Sequence, residues 1–128
     1  MESAVEEFLR FESPVQLGNR ITTQEVVVGG IRMPPDTRIN ICLGAANRDP
    51  SQFEHPDRLD LARQPNRHVA FASGIHTCAG LNLARLETRV ALARFLARFP
   101  DYALSGEPVR GGRARFRGFL HLRARLAP

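Results

Sequence analysis

"FASGIHTCAG", residues 71–80, decides how this chain is read. It sets Cys78 two residues after His76 and two before Gly80, directly ahead of a long helical pattern. A helix N-terminus carries roughly half a unit of positive charge and unpaired N–H groups, and both favour thiolate over thiol. Gly74 and Gly80 bracket the cysteine and allow a tight loop with backbone N–H groups turned towards sulfur. Such a loop would present a stable thiolate. On these residues alone several uses stay open. A catalytic nucleophile needs a base, and His76 is too close along the loop to be a natural partner. A zinc site could draw on His76, Cys78 and His68 or His55, but the spacing matches no standard cluster. A buried structural cysteine is the bland alternative. An axial ligand to haem iron wants one rigidly held thiolate tuned by hydrogen bonds.

The pattern after this loop predicts a helix over 81–99. Leu83, Leu86, Val90, Ala93 and Ala97 share one stripe, widened by Leu92, Phe95, Leu96 and Phe99, and Pro100 ends it. Upstream, "SAVEEFLRF" reads as a short amphipathic helix with Ser3 as candidate N-cap and Pro14 as its stop. Gly29-Gly30 between "EVVV" and "IRM" signals a hairpin, and Pro34-Pro35-Asp36 another turn before the strand "RINICLG". Cys42 in that strand reads as a small buried hydrophobe. Residues 51–70 read as ordered loop with a helical turn near Pro56 to Leu59, and "RARFRGFLHLRARL" as a closing strand or hairpin.

The chain has 128 residues, 43% apolar, which suits a single domain. No apolar run approaches the roughly 20 residues of a membrane span, and "MESAVEEFLR" lacks the pattern of a secretory signal. A cytoplasmic protein is expected. Net charge is +5 and every basic residue is Arg. These arginines are dispersed, except at Arg110 to Arg117, and are not interleaved with aromatics as nucleic-acid stacking requires. An Arg-rich nucleic-acid binder and a non-enzymatic interaction or regulatory module are the alternatives to an enzyme.

"FASGIHTCAG" resembles the haem-binding signature of the cytochrome P450 family, Phe-x-x-Gly-x-His/Arg-x-Cys-x-Gly. Phe71, Gly74, His76, Cys78 and Gly80 fall in register, while Ala72 stands where many members have Gly. Glu7 and Arg10 in "EEFLR" look like the family's Glu-x-x-Arg helix pair. "FEHPDRLD" looks like its meander, in which Arg58 would complete a triad with Glu7 and Arg10. "GAANRDP" is similar to the phrase that precedes the meander in bacterial members. Arg20 follows "SPVQLGN" where an Arg usually meets a haem propionate. Arg123 departs from the family, where relatives often carry Pro.

The resemblance implies a mixed α+β fold, the C-terminal part of the cytochrome P450 fold. Its parts are the Glu-x-x-Arg helix, a β-sheet hairpin, the meander, the Cys-ligand loop, a long proximal helix and a C-terminal β-hairpin, in one unit over 1–128. It implies haem b with Cys78 as iron ligand, His76 and Arg20 at the propionates, and Phe71 beside the sulfur. Val15, Gln16, Leu17, Gly18 and Phe119 would edge the substrate pocket. The implied activity is haem-thiolate monooxygenation of a small organic substrate. Electrons would come from NAD(P)H through a ferredoxin or flavin reductase, with Arg67, Arg85 and Arg89 available to an acidic redox partner. Members are about three times longer, so the sequence reads as a C-terminal fragment. It has no counterpart of the distal helix with its acid–alcohol pair. A separately encoded N-terminal portion is then an expected partner, and the chain alone is expected not to hydroxylate.

Overall fold

Proline and glycine punctuate the chain, and the elements form between them. The computed structural model describes residues 1–127. Helix α1, Glu2–Glu12, ends on Ser13, whose left-handed backbone (φ 42°) lets its N–H reach Leu9 O. Ser3 lies inside the helix; Met1 holds the N-cap position. Strand β1, Leu17–Ile21, pairs antiparallel with β4, Arg38–Cys42. Between them β2, Val26–Val28, and β3, Ile31–Met33, form the expected hairpin. Its turn puts Gly29 and Gly30 at φ 57° and 79°, which only glycine adopts readily. Helix α2, Leu43–Ala46, follows β4 directly.

The stretch from Asn47 to Ser73 has turns but no regular element. The helical turn expected near Pro56 to Leu59 is a single hydrogen-bonded turn, with Arg58 N–H donating to His55 O at 3.0 Å. One 3₁₀ turn, Gly74–His76, leads to helix α3, Leu81–Arg98. The C-terminal part forms two short antiparallel pairs. β5, Ala103–Leu104, pairs with β8, Ala124–Arg125, and β6, Val109–Arg110, with β7, Phe119–His121. Arg123 is accommodated at the edge of the first pair, its carbonyl accepting Ser105 N–H at 2.9 Å.

The interior is more polar than apolar. Val5, Leu43 and Phe53 are the buried hydrophobes, whereas Glu7, Arg10, Ser13, Thr22, Asn47 and Arg63 are the buried polar residues. Helix α3 packs by a face other than the predicted one. Leu83, Leu86 and Val90 are exposed, while Leu81, Ala84, Arg85, Thr88, Arg89, Leu92 and Phe95 are half-buried towards the rest of the chain. The helix is apolar on more than one side, so periodicity alone did not say which side meets α1. Cys42, expected to be buried, is exposed at the end of β4.

Among the described residues no helix is long and apolar enough to cross a membrane. Much of the arginine excess is paired. Arg10, Arg32, Arg48, Arg63, Arg85, Arg89, Arg110 and Arg117 each meet a carboxylate.

Candidate functional site

Backbone geometry fixes the Cys78 loop. Ala72 and Gly74 both lie in the left-handed region, at φ 59° and 67°. Cys78 N–H donates to Phe71 O at 2.9 Å, which closes the loop on itself. Thr77 adds two bonds to Gly74 O, from its N–H at 3.1 Å and its Oγ1 at 2.8 Å. Gly80 has an ordinary φ of −90°, and a Cβ there would meet Cys78 Sγ at a normal 4.0 Å. The need for glycine in this loop therefore rests on Gly74. None of the hydrogen bonds described ends on Cys78 Sγ; the N–H groups of Thr77, Cys78 and Leu81 go to the carbonyls of Gly74, Phe71 and Cys78. The thiol is exposed. It borders a cleft of about 310 Å³ lined by Leu9 on α1, Pro14 and Val15 in the link to β1, Leu43 on α2, and Phe71 and His76 from the loop. Apart from His76 and Cys78 these side chains are apolar.

Behind the cleft sits a fully buried ion pair. Glu7 and Arg10 are one helical turn apart and have no exposed side-chain surface. Burying both charges costs several kcal/mol unless their hydrogen-bonding capacity is met, and here it is. An Arg has five N–H groups. Nε and Nη2 of Arg10 hold Glu7 at 2.8 Å each, Nη1 reaches Asn47 O at 2.9 Å and Pro56 O at 2.8 Å, and Nη2 also reaches Arg58 O at 3.2 Å. Glu7 further accepts Asp60 N–H at 2.9 Å and Asn66 Nδ2 at 3.1 Å. Burial alone would raise the pKa of Glu7, but the Arg10 bonds, Asp60 N–H and Arg63 outweigh it and hold the value at about 2.

The third charged member of this cluster is Arg63, not Arg58. Arg63 Nε stands 3.2 Å from Glu7 Oε2, and its Nη atoms bond the carbonyls of Glu54, His55 and Arg58. Arg58 takes part only through its carbonyl, and the residue is exposed. The sequence offers two arginines five residues apart in one segment, and the turn at His55 to Arg58 decides between them. Asn47, also missed from sequence, carries the cluster to the loop. Its Nδ2 donates to Ser13 Oγ at 2.7 Å and its Oδ1 accepts Val69 N–H at 2.7 Å, while Val69 O holds Ala72 N–H at 2.9 Å.

A Glu-x-x-Arg pair locked to a meander, and through Asn47 to a cysteine loop ahead of a long helix, has a close match among known proteins. Residues 1–107 match the family model described as "Cytochrome P450". The chain belongs to the cytochrome P450 family. It is 47% identical over 109 residues to Cytochrome P450 107B1 of Saccharopolyspora erythraea, covering 84% of this chain and 27% of that protein. It is 40% identical over 129 residues to the 6-deoxyerythronolide B hydroxylase of the same organism, covering 98% and 32%. The crystal structure of P450BioI with acyl carrier protein ligated to hexadec-9Z-enoic acid superposes with a TM-score of 0.95 at 38% identity, covering 98% of this chain and 33% of that one. The chain thus spans about a third or less of the length of these relatives, and it has part of the cytochrome P450 fold, of mixed helix and strand.

The residues expected to serve a cytochrome P450 site are brought together only in part. Phe71, His76, Cys78 and Val15 share the cleft. Arg20 lies on β1 opposite Ile39, outside the cleft lining, with Nη1 on Asn19 O at 2.8 Å. Gln16 uses its amide to bond the α1 C-terminal carbonyls, Glu12 O at 3.2 Å and Ser13 O at 2.6 Å. Leu17 and Gly18 open β1 beside Cys42 and Ile41. Phe119 stacks under Arg110, 4.2 Å from its ring centroid, instead of lining the cleft. The C-terminal hairpin approaches through Phe116, which bridges Val15, and Arg115, whose carbonyl accepts Gln16 N–H at 2.8 Å. Among the described residues no cluster of three or more His, Cys, Asp or Glu is placed to hold a metal ion, so Cys78 has no zinc-site companions.

Proposed function

We propose that residues 1–128 are the proximal, thiolate-bearing portion of a haem-thiolate monooxygenase, with Cys78 as the axial ligand. One observation carries this reading: the exposed thiol of Cys78 borders an apolar cleft, on a loop held by Ala72, Gly74 and the Cys78–Phe71 bond. The residues fit haem b. Leu9, Val15, Leu43 and Phe71 offer apolar contact to a porphyrin, and His76 is the polar group at the cleft for a propionate. Arg20 on β1 is assigned to the second propionate on the family resemblance. When bound, haem supplies activation of O₂ and insertion of one oxygen atom into a small organic substrate, with electrons from NAD(P)H reaching it through a ferredoxin or flavin reductase.

The chain's own residues bind and orient. Cys78 would hold the haem iron through Sγ and supply electron density to it. Phe71 would pack beside the sulfur. The Glu7–Arg10–Arg63 cluster, acting through Asn47, Val69 and Ala72, keeps the loop from relaxing. Val15 and the hairpin edge at Phe116 border the substrate side, and Gln16, Leu17 and Gly18 support that edge. The setting is cytoplasmic.

In the haem-loaded protein, the ferrous–CO complex should show a thiolate-type Soret band. Cys78→Ser should abolish this band and Cys42→Ser should keep it. Loss in both variants, or in neither, would overturn the assignment.

A further inference from the structure

Next to the buried Glu7 cluster, the preceding residue on α1 builds a second one. Consecutive helical residues diverge by about 100°, so Glu6 turns towards α3 and the cysteine loop. Its carboxylate takes Arg85 in a two-pronged grip, Nε on Oε1 at 2.8 Å and Nη2 on Oε2 at 2.7 Å. It also takes His68 Nε2 at 3.0 Å. The His68 side chain is only 2% exposed. Its Nδ1 accepts Ala70 N–H at 3.2 Å, so the ring proton sits on Nε2 and points to Glu6. Burial holds His68 below its ordinary pKa despite the Glu6 bond.

Both groups held by Glu6 end on the same side chain. The Arg85 guanidinium lies 5.1 Å from the centroid of the Phe71 ring, and the His68 ring lies 6.3 Å from it at a tilt of 49°. Phe71 in turn gives its carbonyl to Cys78 N–H at 2.9 Å. We infer that Glu6 is a positioning residue for the Cys78 loop, and that it acts by holding His68 and Arg85 as two flanks that fix the ring of Phe71. The inference takes its importance from the proposed role of Cys78, but the clamp itself is a property of the chain. A planar guanidinium can bond a carboxylate in bidentate fashion and stack on an aromatic face at once, which an ammonium cannot. Arg85 is thereby committed inward and is not a free charge for a redox partner.

The test is NMR on the natural chain without haem, so its outcome is independent of whether Cys78 binds iron. The natural chain should show the Nε2–H tautomer of His68, distinct ring signals for Phe71, and slow amide exchange at Cys78. Glu6→Gln, nearly equal in volume, should average the Phe71 ring signals and speed Cys78 amide exchange about tenfold. Arg85→Gln should do the same and is read in place of Glu6→Gln if that variant does not fold. Arg85→Lys keeps the charge but should not rescue the Phe71 signals. Arg89→Gln, which removes the adjacent Arg89–Glu2 pair, should change neither reading. Natural-like Phe71 signals and Cys78 exchange in Glu6→Gln and Arg85→Gln, or full rescue by Arg85→Lys, would overturn the clamp. Absence of a thiolate-type spectrum in the haem-loaded protein would remove the assignment of Cys78 and leave these haem-free readings standing.

Discussion

Arg63 Nε lies 3.2 Å from Glu7 Oε2 in a buried setting, while Arg58 reaches the same cluster only by its backbone. This separates two arginines that look equivalent in sequence. Removing the Arg63 guanidinium leaves Glu7 with Arg10 alone and strips the carbonyls of Glu54 and His55 of this partner, at about 1–3 kcal/mol for each buried polar group left unsatisfied. Arg63→Ala should therefore lower the denaturation midpoint severely. Arg58→Ala keeps the carbonyl and should stay within about 0.5 kcal/mol. Equal losses in the two variants would mean that the Arg58 side chain carries weight the geometry denies it.

Acid should unfold the chain through Glu7. Its pKa is about 2 in the fold against 4.5 for the free group. The folded value is depressed, so the stabilisation is fully present above about pH 4.5 and is lost as pH falls towards 2. A shift of that size corresponds to roughly 3 kcal/mol. Glu6 is depressed too, against the effect of its burial, by Arg85 and His68, and adds in the same direction. Chemical denaturation between pH 6 and pH 2 should show this fall, and Glu7→Gln should flatten much of it from a lower starting stability.

Ala72 occupies a left-handed conformation at φ 59°, where many family members have glycine. An L-residue there costs about 1–2 kcal/mol, partly offset by the lower unfolded-state entropy of Ala. Ala72→Gly should raise the melting temperature modestly. Gly74→Ala should lower it, purely through the backbone, because no atom lies within 4 Å of a Cβ added at Gly74. A melting temperature that moves the other way in either variant would contradict the loop conformation.

Asn47 has no exposed surface and joins α1 to the cysteine loop through Ser13 Oγ and Val69 N–H. Asn47→Ala leaves that N–H and that hydroxyl without this partner inside the protein. The expected cost is about 1–3 kcal/mol, accompanied by faster amide exchange at Val69 and Ala72. Unchanged exchange at both amides would show that the loop is held by other means.

What the sequence made legible follows from how local each signal is. The Gly29-Gly30 turn, the α3 span and the Glu7–Arg10 pair are decided within a few residues, and the structure shows all three. The choice of Arg63 over Arg58 depends on turns with no periodicity to read, and it was missed. Asn47 was missed because a buried amide joining a serine hydroxyl to a distant backbone N–H has no spacing signature. The facing of α3 failed for a different reason: Leu83, Leu86 and Val90 form as good a stripe as Leu81, Leu92 and Phe95, and only the partner element distinguishes them.

The polar interior also bears on how this chain responds to temperature. The heat capacity of unfolding rises with exposed apolar surface and falls with exposed polar surface, giving about 12–15 cal/mol/K per residue in ordinary domains. A core in which Glu7, Arg10, Ser13 and Asn47 are buried more deeply than Leu43 or Phe53 should fall below that range. Its stability curve is then shallow, with little lost on cooling. Because the cost of dehydrating charges diminishes as temperature rises, the Glu7–Arg10–Arg63 cluster should hold the cysteine loop relatively better in warm conditions than an oily core of the same size would.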